Sequence, residues 1–298
     1  MSKTTTTNAP TEVQELQKRS QFAEIWRRMV RNKLGMVGLC IVIGLCIIAL
    51  FANVLSPYDY TEQNFGERFS YPGENGHILG TDNYGRDLLS RLLWGGRTSL
   101  LVSLMACGIG LVVGGFLGAI SGYYRGAADT IIMRLCDCIM CIPGTLLAVC
   151  VSATLGTGTW QTAIACCVGG IPGNCRQLRA QILQVVANEY VEASRACGAK
   201  DLRTIFVHVV PNCLAPMIVS TTMGLGGNIM MISGLSFIGL GVQPPAAEWG
   251  AMLNAGRTYI RDFYPLVTFP GVCIMVAMFG FNVFGDGLRD ALDPKLKR

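Results

Sequence analysis

The stretch EYVEASRACGAKDLRTIFVHVVPNCLAP, residues 189–216, is the longest charged segment between the apolar runs of this 298-residue chain. Its first part has helical composition, and Gly198 is the residue type that commonly ends a helix in the left-handed conformation. Asp201 can cap a second helix, whose apolar stripe is formed by Leu202, Ile205, Phe206, Val209 and Val210. Because Pro211 then interrupts the pattern, we predict a helix, a glycine elbow and a short amphipathic helix. Such a unit can offer one face to a soluble partner; a plain surface loop between two spans is the alternative.

The composition indicates an integral membrane protein. The chain is 51% hydrophobic and 14% charged, whereas soluble domains are about 25% charged. Residues 34–55 carry no charge, and at about 1.5 Å per residue they are long enough to cross a hydrocarbon core of roughly 30 Å. We therefore expect an all-α integral membrane protein with six transmembrane helices. The expected spans are about 34–55, 99–121, 129–154, 160 onward, 213–238 and 263–285.

These spans divide the chain into segments. The expected boundaries are an N-terminal tail with a basic amphipathic helix at 1–33, the first transmembrane helix at 34–55, a polar loop at 56–97, a five-helix core at 98–290 that contains the charged loop 189–212, and a tail at 291–298. A basic amphipathic helix is typical of a segment that lies on an anionic lipid bilayer. A nucleic-acid-binding arm is the alternative, and with six spans following it we expect no nucleic-acid partner.

The distribution of positive charge predicts the topology. With six spans, 18 of the 24 Lys and Arg residues lie on the side of the two termini, and this side also carries residues 189–216. Cytoplasmic loops carry the excess of positive charge. Both termini and the charged stretch are therefore expected in the cytoplasm, and the 56–97 loop on the opposite side.

Two patterns predict structural roles within the spans. Gly110, Gly114 and Gly118 recur every four residues, which lets another helix approach closely. Arg134 and Asp137 are spaced to form an ion pair on one helix face; a proton relay is the alternative.

Candidate metal ligands have simpler interpretations. Cys136, Cys138 and Cys141 are spread around a helix, and no neighbouring histidine completes a zinc set, so we expect no metal site. A second set, His77, Asp82 and Asp87, lies before the second span. We interpret it as a glycine-rich loop that enters a helix capped by Thr81 or Asp82, with a metal or acid–base site as the alternative.

Three motifs resemble one family. Glu192-Ala193-Ser194, with Gly198 four residues later and Val210-Pro211 at the end, resembles the EAA loop of ABC-importer permeases. The LGTD…GRD…SR run at 79–91 and the GLG…PP…EWG run at 239–250 are similar to the dipeptide/oligopeptide/nickel branch. The chain departs from the general motif at Ser194, His208 and Val210.

The resemblance implies a type I ABC-importer permease fold in which this chain forms half of a translocation pore in the bacterial cytoplasmic membrane. In that family the elbow docks as a coupling helix on an ATP-binding subunit. The corresponding residues here are Glu192, Ala193, Ser194, Gly198, Asp201, Leu202, Ile205, Phe206 and Pro211. The implied partners are a second homologous permease, two cytoplasmic ATP-binding subunits and an extracytoplasmic substrate-binding protein. No cofactor is expected on this chain, and ATP with Mg²⁺ is expected on the partner subunits.

The substrate and two remote functions stay open. No lysine follows a glycine, so the chain has no Walker A loop and is not expected to be an enzyme that hydrolyses ATP. Di- or oligopeptides are the expected cargo, with nickel, glutathione or another small solute as alternatives. A stand-alone secondary transporter is a further alternative. Gly234-Leu235-Ser236 begins like the nucleophile motif of an intramembrane serine protease, but Phe237 follows it.

Overall fold

The computed structural model describes residues 21–292, and side chains from residue 24 onward. Its regular structure is helical throughout this range. The helices are α1 (Gln21–Arg31), α2 (Lys33–Leu55), α3 (Leu88–Tyr124), α4 (Gly126–Met140), α5 (Gly144–Leu155), α6 (Thr159–Val186), α7 (Glu189–Ala196), α8 (Asp201–Arg203), α9 (Val210–Phe237), α10 (Trp249–Gly256) and α11 (Pro265–Leu292). Residues 1–20 of the predicted tail with its basic helix lie outside the described range, and α1 follows at Gln21–Arg31.

Four helical runs in the described range are long and apolar enough to cross a membrane: Lys33–Leu55, Leu88–Tyr124, Asp201–Phe237 and Pro265–Leu292. The bent pair of α4 and α5 makes a fifth crossing if it is counted as one span. Helix α6, where we expect the fourth span, has 28 residues but is less apolar. It carries Arg176 and Arg179 in its second half, which lowers its hydropathy below that of the other runs.

The span expected at 129–154 is not one straight helix. The chain forms α4 and α5, which are bent by 87° at a short break. Pro143 lies at that break with an extended ψ of 130°. Proline removes a backbone donor and disfavours helix in the residue before it, so the Ile142-Pro143 step ends α4.

Helix α3 begins ten residues before the boundary expected between the 56–97 loop and the helical core. The side chain of Asp87 accepts a hydrogen bond from the backbone N–H of Ser90 at 2.7 Å and so caps α3. Thr81 and Asp82 are therefore not the cap. At the other end of the chain, α11 continues to Leu292, two residues into the tail expected at 291–298.

The long helices run alternately up and down between two ends of the molecule. At one end Asn32 donates to Asp290 (3.0 Å), which joins the start of α2 to the end of α11. At the opposite end the Ser152 hydroxyl, near the end of α5, donates to the carbonyl of Leu240. We call the first the elbow end, because α7 lies there with the end of α3, and the second the loop end.

The glycine stripe of α3 packs against α6, as its spacing predicts. A Cβ on Gly114 would lie 2.6 Å from the carbonyl oxygen of Ile171, and one on Gly118 would lie 2.5 Å from that of Cys175. Gly110 faces Asn174 less tightly, at 3.4 Å. The small residues therefore bring the two helix backbones together where any side chain would hold them apart.

Gly118→Ala should destabilise the protein by about 1–3 kcal/mol, because the added methyl overpacks a backbone contact that cannot yield. The matched control is Gly108→Ala on the same helix, where a Cβ meets nothing within 4 Å. Thermal unfolding of the detergent-solubilised protein, followed by tryptophan fluorescence, measures both. Equal melting temperatures for the two variants would contradict the packing assignment.

Candidate functional site

The elbow segment, residues 189–210, lies at the elbow end and is built around Gly198. This residue has φ +82°, the left-handed conformation that favours glycine. Its N–H donates to Arg195 O (2.9 Å), and the N–H of Ala199 donates to Ser194 O (3.2 Å). These two bonds form a Schellman motif, so the predicted glycine elbow is present.

The second helix does not end at Pro211, contrary to the sequence prediction. Helical backbone continues from Asp201 to Phe237, with π-helical turns at Thr204–Val209. Pro211 lies in the first turn of α9, where the missing N–H of a proline is tolerated. The Asn212 side chain donates to the His208 carbonyl at 2.7 Å. The elbow is thus the start of a membrane-length run rather than a separate helix.

The predicted apolar stripe is split between two environments. Ile205 and Val209 are buried in a cluster with Val191 of α7. Leu202 and Phe206 stay 66% and 62% exposed. The π-helical turns have a wider hydrogen-bonding interval than an α-helix, so residues that would share a face at α-helical spacing do not all face the core. The exposed pair leaves an apolar patch at the elbow end.

Asp201 does not cap the second helix. Lys200 occupies the cap position without a side-chain hydrogen bond, and Asp201 instead accepts a hydrogen bond from the Tyr123 hydroxyl at 2.7 Å. The guanidinium of Arg195 lies 4.7 Å from the centroid of the Tyr123 ring, within cation–π range. Tyr123 therefore ties both arms of the elbow segment to the end of α3, a contact that the spacing of the sequence does not reveal.

Tyr123→Phe should loosen this attachment by about 0.5–1.5 kcal/mol, the net value of one hydrogen bond. Tyr124→Phe is the control, because Tyr124 is exposed and its hydroxyl makes no hydrogen bond to the described residues. Protease protection of the elbow segment should fall in the first variant alone. Unchanged protection in Tyr123→Phe would show that this bond does not hold the segment.

The remaining predicted residues of the segment lie at its surface. Glu192 and Ala193 are exposed and Ser194 is half-buried. Glu192 makes no hydrogen bond or ion pair with the described residues, so its carboxylate is open to a partner. The buried side chains of Val191, Ile205 and Val209 attach the segment to the rest of the protein. Its solvent-exposed surface carries both apolar and charged side chains.

Ion pairs brace the helices next to the elbow. Asp129 of α4 accepts two hydrogen bonds from Arg179 of α6, at 2.6 Å and 2.7 Å, in the bidentate geometry that makes such pairs strong. Asp137 pairs closely with Arg176 of α6. The predicted partner Arg134 lies 3.9 Å from Asp137 and is exposed. The main partner of Asp137 is therefore on another helix.

At the loop end, the set His77, Asp82 and Asp87 forms hydrogen bonds and ion pairs rather than a metal site. Asp87 lies 2.9 Å from His77 Nδ1, and Asp82 lies 2.7 Å from Arg86. Asp82 also accepts from the backbone N–H of Tyr84 at 2.8 Å. Within residues 21–292, no group of three or more potential ligands is placed to hold a metal ion.

The two motifs of the loop end pack on each other. Trp249 donates from its ring nitrogen to Leu92 O at 3.0 Å and covers Gly96, where a Cβ would meet its ring at 2.8 Å. Glu248 is fully buried; it accepts from Ser99 (3.0 Å) and from the backbone N–H of Ala251 (2.8 Å). Burial raises the pKa of Glu248 above its usual value. This contact joins α3 to α10.

The candidate nucleophile Ser236 has a structural role. Its side chain is buried and accepts a hydrogen bond from the backbone N–H of Val242 at 3.2 Å. His208 lies 28 residues away on the same helical run, a distance of about 42 Å. His77 is engaged by Asp87 and Glu67. The arrangement does not form a serine–histidine pair.

Comparison with known proteins places these features in one family. Residues 114–298 match the family described as "Binding-protein-dependent transport system inner membrane component". Residues 20–72 match the "N-terminal TM domain of oligopeptide transport permease C".

Relatives are similar along nearly the whole chain. It is 42% identical over 295 residues to the di/tripeptide transport system permease protein DppC of Pseudomonas aeruginosa (strain UCBPP-PA14), covering 97% of each chain. It is 40% identical to the dipeptide transport system permease protein DppC of Alkalihalophilus pseudofirmus, covering 93% of this chain and 91% of that one. It is 39% identical to the glutathione transport system permease protein GsiD of Pectobacterium atrosepticum, covering 94% and 93%.

A solved structure shares the fold. A chain of the MetNI methionine ABC transporter, in an inward-facing conformation, superposes with a TM-score of 0.57 at 17% identity. The match covers 69% of this chain and 98% of that one. At this identity the likeness concerns the fold alone.

Proposed function

Because this chain belongs to the family of binding-protein-dependent transport system inner membrane components, we propose that it is the permease subunit of an ATP-driven importer for di- and tripeptides. The chain is a multi-pass protein of the inner membrane and the non-catalytic membrane component of its system. The proposal adds the cargo, the number of crossings and the partners. We propose that α6 crosses the membrane once and that the bent pair α4–α5 crosses it once. With the four long apolar runs, this makes six crossings in a type I permease fold.

The elbow segment is the part of this chain that would receive the energy of ATP. Its support is the exposed apolar pair Leu202 and Phe206, together with the exposed carboxylate of Glu192, which has no partner among the described residues. A buried cluster below them continues without a break into the helical run Asp201–Phe237. Movement of a docked cytoplasmic ATP-binding subunit would therefore be carried along one rigid helical run toward the loop end.

The proposed assembly contains two such ATP-binding subunits, which bind ATP and Mg²⁺, and a second, homologous permease that completes the pore. The 56–87 loop and residues 238–264 form the loop end, where an extracytoplasmic binding protein would deliver substrate. Both termini would then lie in the cytoplasm, in agreement with the charge distribution. The motifs at residues 79–91 and 239–250 pack closely on each other and would form the surface on which the binding protein docks.

The choice of di- and tripeptides rests on relatives. Two of the three relatives above carry these substrates in their names, at 42% and 40% identity. Glutathione is a second candidate because the glutathione permease is 39% identical. Nickel or another small solute is a further candidate, because the motifs at 79–91 and 239–250 are similar to the whole dipeptide/oligopeptide/nickel branch.

Reconstitution tests the proposal. The chain would be co-expressed with the second permease, the ATP-binding subunits and the binding protein of its proposed system, purified in mild detergent and placed in proteoliposomes. We expect an ATPase to co-purify, and radiolabelled dialanine to accumulate only with ATP and the binding protein. Uptake of glutathione in preference to dialanine would shift the substrate to the second candidate. Absence of an associated ATPase, or uptake without ATP, would overturn the proposed function.

A further inference from the structure

A cavity of about 310 Å³ lies between α3, α6 and α9, close to the midpoint of each helical run. It exists because small residues face it from all three helices, among them Gly110 of α3 and Gly224 of α9. Its size is within the roughly 300–1,000 Å³ of small-molecule sites. Polar groups at the centre of membrane helices are costly and generally serve a function.

Amide and hydroxyl side chains line this cavity: Asn174, Gln177, Asn228, Thr221 and Ser220. Among the described residues, the Asn174 side chain makes no hydrogen bond, and the buried Thr221 hydroxyl has no partner. Gln177 and Asn228 use their N–H groups toward Pro216 O (3.2 Å) and Cys107 Sγ (3.1 Å). Their carbonyl oxygens accept no bond from the described residues. The cavity therefore holds unused donors and acceptors.

No charged side chain lines the cavity. The nearby arginines of α6 are engaged elsewhere, since Arg176 pairs with Asp137 and Arg179 with Asp129. An uncharged site with both donors and acceptors is unsuited to a bare ion. It matches a group that itself offers one N–H and one C=O, namely a peptide bond.

We propose that this cavity is a transient binding site where the amide side chains of α6 and α9 hold the peptide backbone of the substrate in transit. The inference deepens the proposed function and rests on it. Asn174 and Thr221, the two groups without a partner, would contact the substrate directly. Because the contacts are to backbone groups, the site would accept many side chains.

The test uses the reconstituted complex and radiolabelled dialanine. Asn174→Leu and Thr221→Val keep the approximate volume and break no hydrogen bond within the described residues. Each should lower uptake at limiting substrate about tenfold, the effect of losing one good hydrogen bond. Gln184→Leu, an exposed position on the same helix, should leave uptake unchanged. The amount of assembled complex and its basal ATPase activity should be the same in all three.

A charge substitution separates binding from a packing role. Asn174→Asp should reduce uptake of Ala-Glu at least about fivefold more than uptake of Ala-Lys, because a carboxylate in a low-dielectric cavity repels an anionic ligand. Equal losses for both peptides, or uptake in Asn174→Leu and Thr221→Val equal to that in Gln184→Leu, would overturn the inference while wild-type transport stands. Lack of transport by the wild-type complex would overturn the proposed function and this inference with it.

Discussion

Phe206→Glu should reduce substrate-stimulated ATP hydrolysis and uptake at least about thirtyfold, the effect of removing a central aromatic contact from an interface. Phe206 is 62% exposed on the elbow segment, four residues after Leu202, which is 66% exposed. A glutamate there stays in water in the free chain but would be buried without a partner once an ATP-binding subunit docks. The expected defect is therefore loss of the associated ATPase rather than loss of folding.

The matched control is Phe65→Glu. Phe65 has the same 62% exposure, but it lies in the 56–87 loop at the opposite end of the molecule. Co-purification of the ATPase and the melting temperature in detergent would be measured for both variants. If Phe206→Glu retained the ATPase as well as Phe65→Glu does, the apolar patch would not be the docking surface.

Gly198→Val should uncouple ATP hydrolysis from transport. The residue has φ +82°, and a β-branched side chain in that conformation costs about 2 kcal/mol or more, which corresponds to roughly thirtyfold in the population of the native elbow. There is open space around the position, with nothing within 4 Å of an added Cβ. The defect would therefore arise from the backbone and not from a clash.

Gly198→Asn distinguishes these causes, because asparagine tolerates the left-handed conformation while still adding a side chain at the elbow. We expect it to retain most of the uptake that Gly198→Val loses. The ratio of peptide transported to ATP hydrolysed is the measurement. Equal loss in both variants would mean that bulk at the interface, rather than elbow geometry, determines coupling.

Several features of the site follow from local sequence. A glycine after a short polar helix predicts a left-handed elbow, because the Schellman motif involves only residues near it in the chain. The four-residue glycine spacing likewise predicts a close helix contact on α3. The uncharged run at residues 34–55 and the low charge content predict the membrane class without knowledge of any neighbour.

Other features depend on contacts that are distant in sequence. Asp201 could cap a helix by its position, but its carboxylate accepts a hydrogen bond from Tyr123, which lies 78 residues earlier in the chain. Asp137 has Arg134 at helical spacing, yet Arg176 lies closer because α4 and α6 pack side by side. Likewise, the spacing does not show that Trp249 packs over Gly96.

The sequence by itself determined that this protein is a helical membrane permease with a glycine elbow, because composition, span length and the three motifs are local properties of the chain. The tertiary structure alone decided which apolar residues of the elbow face the core and which remain outside. The π-helical turns and the buried contact with Val191 take Ile205 and Val209 inward and leave Leu202 and Phe206 exposed. The tertiary structure also determines where the central cavity lies, because its small and amide-bearing residues come from three helices, α3, α6 and α9, that are distant in sequence.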